Sequence, residues 1–558
     1  MFLLQYVLIV LFASVVIADS YIYTTDGTPT GKDVLFKFAD LHQYTVEPLY
    51  PSFDSPYYVV NTPAVKNAKL FAAQTPLHAF AAAQKHGISV PISRKLDAMN
   101  RYSNPYAIPY VEVERNFYVP SALNRNVMHL NASNVRQTGA GVRVYIPDGG
   151  MQCDHAAFAR KDGKSSCNAA AGMSTCSDAI GTKPEGPLDV HATMCASVIC
   201  ASKFGGGIAP NAICIPRRYI CDGGWSTIAE ARANAVAEMA VMSVSNGPPD
   251  GIHYYEFPPP ELVHGIVETW NRGVMRVDAA GNGAIRGETC AADWTVSLQQ
   301  TPGVGAITAS GMSEEYSEKC PGVLVSAFGA SGSNVIYTAL ADPYSTNTMS
   351  NLFDGTSAAA PQVAGVIALL REALPNIQPR DIVRALAATS RKEGLVAGRY
   401  PFISNAAGFS HSLAFGFGYP DTYALIQFAN ATEPLPAQKT CTETILDLSA
   451  NADLAYSTFE IAVPKHCEIN FIENVEMQVS FLFDSASDMG ELSLSSPSGR
   501  TSVFLDSFHG YVIDRWNLKS GGWPWMGETA AGTWTLSVEA LDNFNIAAVT
   551  ITIYGAVL

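Results

Sequence analysis

From Gly141 the sequence alternates short strand-like runs with helix-spaced runs. That alternation commits a chain to βα units, and hence to a parallel sheet covered by helices. Val142-Arg-Val-Tyr-Ile reads as a buried strand, and Thr227 to Met239 carries helical spacing with Ala and Glu. Ala240-Val-Met-Ser-Val-Ser and Val274-Met-Arg-Val-Asp-Ala-Ala read as two further strands. The expected fold class here is α/β with a mainly parallel sheet.

One such unit cannot use the whole chain. Cores stop growing near ~250 to 300 residues, and this chain has 558. A polar, Tyr- and Pro-rich stretch without cysteine occupies Asp19 to about Arg101. At the other end Glu433-Pro-Leu-Pro-Ala reads as a linker, after which segments such as Glu491-Leu-Ser-Leu and Thr533-Trp-Thr-Leu-Ser-Val alternate in polarity. Turns like Pro497-Ser-Gly499 punctuate them, the pattern of an all-β sandwich.

Residues Phe2 to Ile17 are apolar and end in small residues, the shape of a signal-peptide core, so 1–18 is expected to be removed. No later run reaches the ~20 apolar residues of a membrane span, so no transmembrane anchor is expected. Behind a signal peptide, the 11 cysteines imply disulfides with at least one thiol left over. Zinc is not expected, because Cys153, Cys167, Cys176, Cys200, Cys214 and Cys221 show no C-x2-C spacing and their pairing stays open. Asn131-Ala-Ser and Asn430-Ala-Thr are glycosylation sequons. The net charge of -15 argues against a nucleic-acid partner and is compatible with cationic substrates.

The chemistry begins at Phe353-Asp-Gly-Thr-Ser357-Ala-Ala-Ala-Pro361, where a serine opens the apolar helical run Val363 to Leu374. A hydroxyl there sits at a helix N-terminus, which favours developing negative charge. It still needs a base to take its proton and a carboxylate to orient that base. Asp189-Val-His191-Ala-Thr-Met-Cys195 offers the histidine, and Ile146-Pro-Asp148-Gly-Gly offers a carboxylate at a strand end. Taken singly these are ordinary features, since Asn-Gly and Gly-Thr-Ser are common and a lone His is usually a satisfied polar residue.

Together, in the order Asp148, His191, Ser357, they resemble the subtilases over about Asn131 to Phe428. Ala279-Ala-Gly-Asn282-Gly resembles that family's oxyanion-hole segment, which makes Asn282 the expected donor. The tail from Cys441 resembles the P domain of the kexin and furin group of proprotein convertases, notably in Leu492-Ser-Leu-Ser-Ser-Pro-Ser-Gly and Trp523-Pro-Trp-Met-Gly-Glu. The resemblance implies a signal peptide at 1–18, a pro-segment at 19–101, a catalytic domain at 102–428, a linker at 429–440 and a jelly-roll-like P domain at 441–558. The pro-segment would act as inhibitor until cut after Arg101 or Lys95.

By the same resemblance Ser245-Asn-Gly-Pro-Pro-Asp250 forms the S1 wall, Asp293 is a second S1 carboxylate, and Glu256 stands in the S4 wall. Two acids in one pocket would pair with a P1 Arg or Lys. Asp250, Glu288 and Glu318 would hold one calcium near S1, with Glu288 in place of the family's Asp. Cys290–Cys320 and Cys441–Cys467 match family disulfides, and Cys195 matches a free thiol beside the histidine.

The chain also departs from the group. Ala192 replaces the glycine after the histidine, and Gly149 replaces an aspartate beside the catalytic one, which is expected to remove charge near S2. Gly224 stands about where the group keeps an acid that reads basic residues further upstream of the cut, so the resemblance implies only a weak preference for multibasic sites. A second calcium loop is shortened to Ser202-Lys-Phe-Gly-Gly-Gly-Ile, with Ala157 where an aspartate would assist, so that site is expected to be absent. The expectation is a monomeric endopeptidase, secreted or in the lumen of the secretory or vacuolar system, cutting proteins or peptides after basic residues. The alternatives are a broad-specificity secreted subtilase and an inactive binding homologue.

Overall fold

The computed structural model describes strands at Leu8–Val10, Ser20–Thr24, Thr45–Pro48 and Tyr57–Asn61, and then residues 135–558 except 177, 187–188, 205, 222–226, 249, 251–257, 331–335, 451–455, 483–488, 509–514 and 541–543. The four early strands pair antiparallel in one sheet.

The central sheet holds β1 (Arg143–Asp148), β2 (Met173–Ser174), β3 (Ile213–Arg218), β4 (Val241–Val244), β5 (Met275–Ala279), β6 (Gly303–Ile307) and β7 (Val323–Phe328). Their order is β7-β6-β5-β4-β1-β3-β2, and every neighbouring pair is parallel. A parallel sheet needs cover on both faces, which is why its strands are continuous apolar runs. Side chains alternate along β1: Val144 and Ile146 pack with Ala192, Ala196, Val363 and Ile367, while Tyr145 joins Ile215, Val236 and Met242 in a separate cluster.

The helices are α1 (His191–Cys200), α2 (Thr227–Asn234), α3 (Pro260–Asn271), α4 (Thr356–Ala373), α5 (Pro379–Thr389) and α6 (Thr422–Ala431). Helix α2 stops at Asn234 and not at Met239, the limit expected from its spacing. The Arg217 guanidinium donates to the carbonyls of Arg232, Ala233 and Ala235 at 2.7–2.9 Å, which satisfies the helix end and turns the chain. The linker is shorter than the expected 429–440: α6 runs to Ala431 and the next strand starts at Lys439.

That strand opens a sandwich of two antiparallel sheets. The strands are β8 (Lys439–Ala450), β9 (Ser457–Val463), β10 (Phe471–Leu482), β11 (Met489–Ser495), β12 (Thr501–Phe508), β13 (Arg515–Gly522), β14 (Gly532–Ala540) and β15 (Phe544–Ala556). One sheet is ordered β8-β15-β10-β13 and the other β9-β14-β11-β12. Trp525 and Trp534 are buried between them, edge to face at 5.5 Å, and each indole N–H finds a carbonyl.

The sandwich docks on the α/β unit through polar contacts of fixed geometry. Trp523 Nε1 donates to Gly322 O at 2.9 Å, Asn405 Nδ2 donates to the carbonyls of Pro524 and Met526, and Arg380 forms a two-pronged pair with Glu473 at 2.6 Å. Truncating a buried Trp removes both its packing and its hydrogen bond. Trp534→Ala is therefore expected to cost about 3–5 kcal/mol, read as a lowered urea midpoint of the full chain.

Candidate functional site

Asp148 ends β1 and is fully buried. Its Oδ1 accepts the Gly149 N–H at 2.7 Å, and its Oδ2 accepts from His191 Nδ1 at 2.8 Å. That second bond keeps the Nδ1 proton in place and leaves Nε2 as the basic nitrogen. Burial opposes a charge on the imidazole, but the Asp148 carboxylate outweighs it and holds the His191 pKa well above the ordinary value. His191 opens α1, its ring standing edge-on to Phe353 at 5.9 Å. One turn on, the buried Cys195 Sγ lies 3.8 Å from Nδ1 and 4.0 Å from Nε2. Ala192 is fully buried and packs in the core without displacing the helix start.

Ser357 stands in the first turn of α4, just after Gly355, whose φ of +85° suits glycine alone. Its Oγ donates to Ser245 O at 2.8 Å, so in this state the hydroxyl rests on a carbonyl beyond the end of β4 and not on the histidine. Pro361 explains another feature of this turn. Having no N–H, it cannot bond Ser357 O in the i→i−4 pattern. That carbonyl instead accepts from the Ser245 hydroxyl at 3.2 Å and the Cys195 thiol at 3.8 Å.

Asn282 is oriented by the residue before the serine. Its Oδ1 accepts from Thr356 N at 2.8 Å and from Thr356 Oγ1 at 3.0 Å, so the Nδ2 hydrogens face away from Thr356. The Asn282 backbone N–H donates to Asp250 Oδ1 at 3.2 Å, which ties this segment to a group of acids.

Asp250, Glu288 and Glu318 each bring a carboxylate oxygen within 4.8 Å of the others. Glu318 is buried, accepts the Gly283 N–H at 2.9 Å, and has its pKa pushed well up by burial and by Asp293, Glu288 and Asp250. Glycines let the backbone approach these acids: a Cβ at Gly281 would lie 2.3 Å from Glu318 Oε1. An all-oxygen, acidic donor set of this kind fits a hard cation such as calcium. Asp293 belongs to the same electrostatic group, and its Oδ1 is held by Thr295 N at 2.9 Å and Thr295 Oγ1 at 2.8 Å.

One expectation needs correction. Gly149 does not leave Asp148 without an acidic neighbour, because Asp189 fills the space: a Cβ at Gly149 would lie 2.3 Å from Asp189 Oδ1. Asp189 Oδ2 accepts from Gly150 N at 2.9 Å and Glu185 N at 3.0 Å. Burial first, and Asp148 in addition, push its pKa up to about 6. Its only signal in the sequence is its place two residues before His191.

The structure joins Cys290 to Cys320 and Cys441 to Cys467, and pairs the six remaining cysteines as Cys153–Cys167, Cys176–Cys221 and Cys200–Cys214. Asn430 is exposed in the last turn of α6. Glu256, Asn131, Gly224 and both pro-segment cleavage positions lie outside the described residues.

With this geometry in hand, comparison with known proteins identifies the class. Residues 139–419, just over half the chain, match the Subtilase family (Peptidase_S8), and the chain belongs to that family. It is 27% identical over 427 residues to "Endoprotease bli" of Onchocerca volvulus, covering 73% of this chain and 60% of that one. It is 29% identical over 449 residues to kexin of Saccharomyces cerevisiae, covering 75% and 52%. With proprotein convertase subtilisin/kexin type 5 of Rattus norvegicus it shares 29% over 384 residues, covering 63% and 20%. The chain thus spans 60% or less of the length of these relatives. The serine protease of Aeromonas sobria, solved with its chaperone, has the same fold: TM-score 0.64 at 19% identity, over 75% of this chain and 88% of that one.

The Asp189 carboxyl, followed by carbon-13 shifts against pH, is expected to titrate near 6, neutral below and charged above. Asp148→Asn should lower that midpoint by removing the adjacent charge, while burial keeps it above the ordinary ~3.9.

Proposed function

We propose that this chain is a secretory-pathway serine endopeptidase of the kexin and furin type, cutting proteins or peptides after Arg or Lys. One observation carries the reading. Asn282 touches both halves of the site, its side chain on Thr356 beside Ser357 and its backbone on Asp250 of the acid group, while Asp148 holds His191.

In the reaction Ser357 Oγ turns from Ser245 O to His191 Nε2, as apo hydrogen bonds commonly rearrange on binding, and attacks the scissile carbonyl. His191 takes the hydroxyl proton, and Asp148 stabilises the imidazolium. Asn282 Nδ2 and the Ser357 N–H hold the oxyanion, a contribution worth ~10² to 10³ in rate per donor in subtilisin itself. The C–N bond breaks as His191 protonates the leaving amine, and water then releases the acyl group by the reverse sequence. Asp250 and Asp293 select a cationic P1 side chain, and Asp189 supplies an acid beside Asp148 for P2.

Asp250, Glu288 and Glu318 would hold a calcium ion, which supplies counter-charge when bound. The leading 19–101 acts as an inhibitory pro-segment, 102–428 as the catalytic domain and 441–558 as a P domain. The mature protein works as a monomer, secreted or lumenal. Among the described residues no helix is long and apolar enough to cross a membrane.

A panel of fluorogenic peptides differing only at P1 tests the reading, with Ser357→Ala as the blank. The expected kcat/KM for P1 Arg exceeds that for Phe or Leu by about 10³, since two acids in one pocket are left unpaired by an apolar side chain. Equal turnover would point to a broad subtilase, and absent turnover together with absent fluorophosphonate labelling of Ser357 to a binding homologue. Chelation with EGTA is expected to lower both activity and the thermal midpoint, by about 2–4 °C per kcal/mol of lost binding in a domain this large. Unchanged values would remove the cation from the scheme.

A further inference from the structure

Arg218 ends β3 in register with Asp148, and its side chain is wholly buried. A buried guanidinium is tolerated only when its charge is answered. Here Nη1 and Nη2 each bond the Asp178 carboxylate at 2.8 Å, Nη1 also bonds Gly181 O at 3.0 Å, and Nη2 pairs with Glu185. All three partners lie in the crossing between β2 and α1. The base of that crossing is tied to the same strand by Thr175 N on Arg218 O at 2.9 Å, and to the segment just after it by the Cys176–Cys221 disulfide.

The connection then reaches the catalytic edge in one residue. Glu185 pairs with Arg218 through its side chain and donates its backbone N–H to Asp189 Oδ2 at 3.0 Å. Asp189 N–H bonds Gly186 O at 3.1 Å, and the Asp189 carboxylate enters the gap at Gly149. Arg218 also acts on Asp189 directly through its charge, favouring the carboxylate against burial and against Asp148.

We propose that Arg218 is a positioning residue for substrate selection: by clamping Asp178 and Glu185 it holds Asp189 beside Asp148, and so sets the preference for a basic P2 residue without touching the substrate. This rests on the reading of Asp189 as the P2 acid, and the test separates the two.

Mature full-length enzyme is assayed on two peptides with P1 Arg, one with P2 Lys and one with P2 Ala, and the ratio of kcat/KM values is recorded. Asp189→Asn tests the underlying reading and should cut the ratio about tenfold; an unchanged ratio overturns the P2 role of Asp189. Given that loss, Arg218→Met should cut the ratio by a similar factor, mainly through KM for the P2 Lys peptide, and the double variant should lose no more than either single one. A ratio retained in Arg218→Met, or full additivity in the double variant, overturns the positioning role. Should Arg218→Met yield no folded enzyme, Asp178→Asn decides, because Asp178 is partly exposed and its loss loosens the clamp while keeping the cation. A reduced ratio with Ser357 still labelled by fluorophosphonate supports the proposal, and an unchanged ratio overturns it.

Discussion

The α/β unit depends above all on the parallel register of β1 with its two neighbours. It sets Asp148 opposite Arg218 on one side, and on the other pairs with β4, which ends at Val244 and leaves the Ser245 carbonyl beyond the ladder. Strands that all run one way deliver their C-terminal ends to one edge, where sites in α/β sheets are built. Helix α4 meets that edge with its N-terminus, and Pro361 frees the Ser357 carbonyl to be held from outside the helix. Backbone pairing thus fixes the spacing between Asp148 and the Ser245 carbonyl on which the Ser357 hydroxyl rests.

Carboxylates cluster at two places beside the strand ends. One group of carboxylates gathers around Glu318, another around Asp148 and Asp189, and burial raises the pKa of both Glu318 and Asp189. The second group contains its own cation in Arg218. The first is braced from behind: the Cys290–Cys320 disulfide lies next to it, and Thr289, the residue after Glu288, leans its hydroxyl on Lys319 O and Phe504 O. The sandwich therefore contacts the back of the acidic segment.

Much of this was legible in the chain. The βα alternation and the β-rich tail follow from local periodicity, which needs no knowledge of distant residues. Asp148, His191, Ser357 and Asn282 were legible because each sits beside a backbone feature written in sequence, such as the strand end or Gly355. What depended on distant pairing was not. Asp189 in the gap at Gly149 joins segments 40 residues apart, three disulfides pair cysteines whose spacing implies nothing, and the end of α2 is set by Arg217 from another strand. The rest of Ser357, on Ser245, follows from a carbonyl orientation that no motif encodes.

The missing side chain at Gly149 works as a socket. Positions 149 and 189 compete for one volume, since any side chain at 149 would overlap the Asp189 carboxylate. The atoms in the way belong to the Asp189 side chain and not to its backbone, so a residue added at 149 would turn that carboxylate out of the gap rather than break the fold. The absence of a side chain at 149 is thus what lets an acid from 40 residues further along the chain stand beside Asp148.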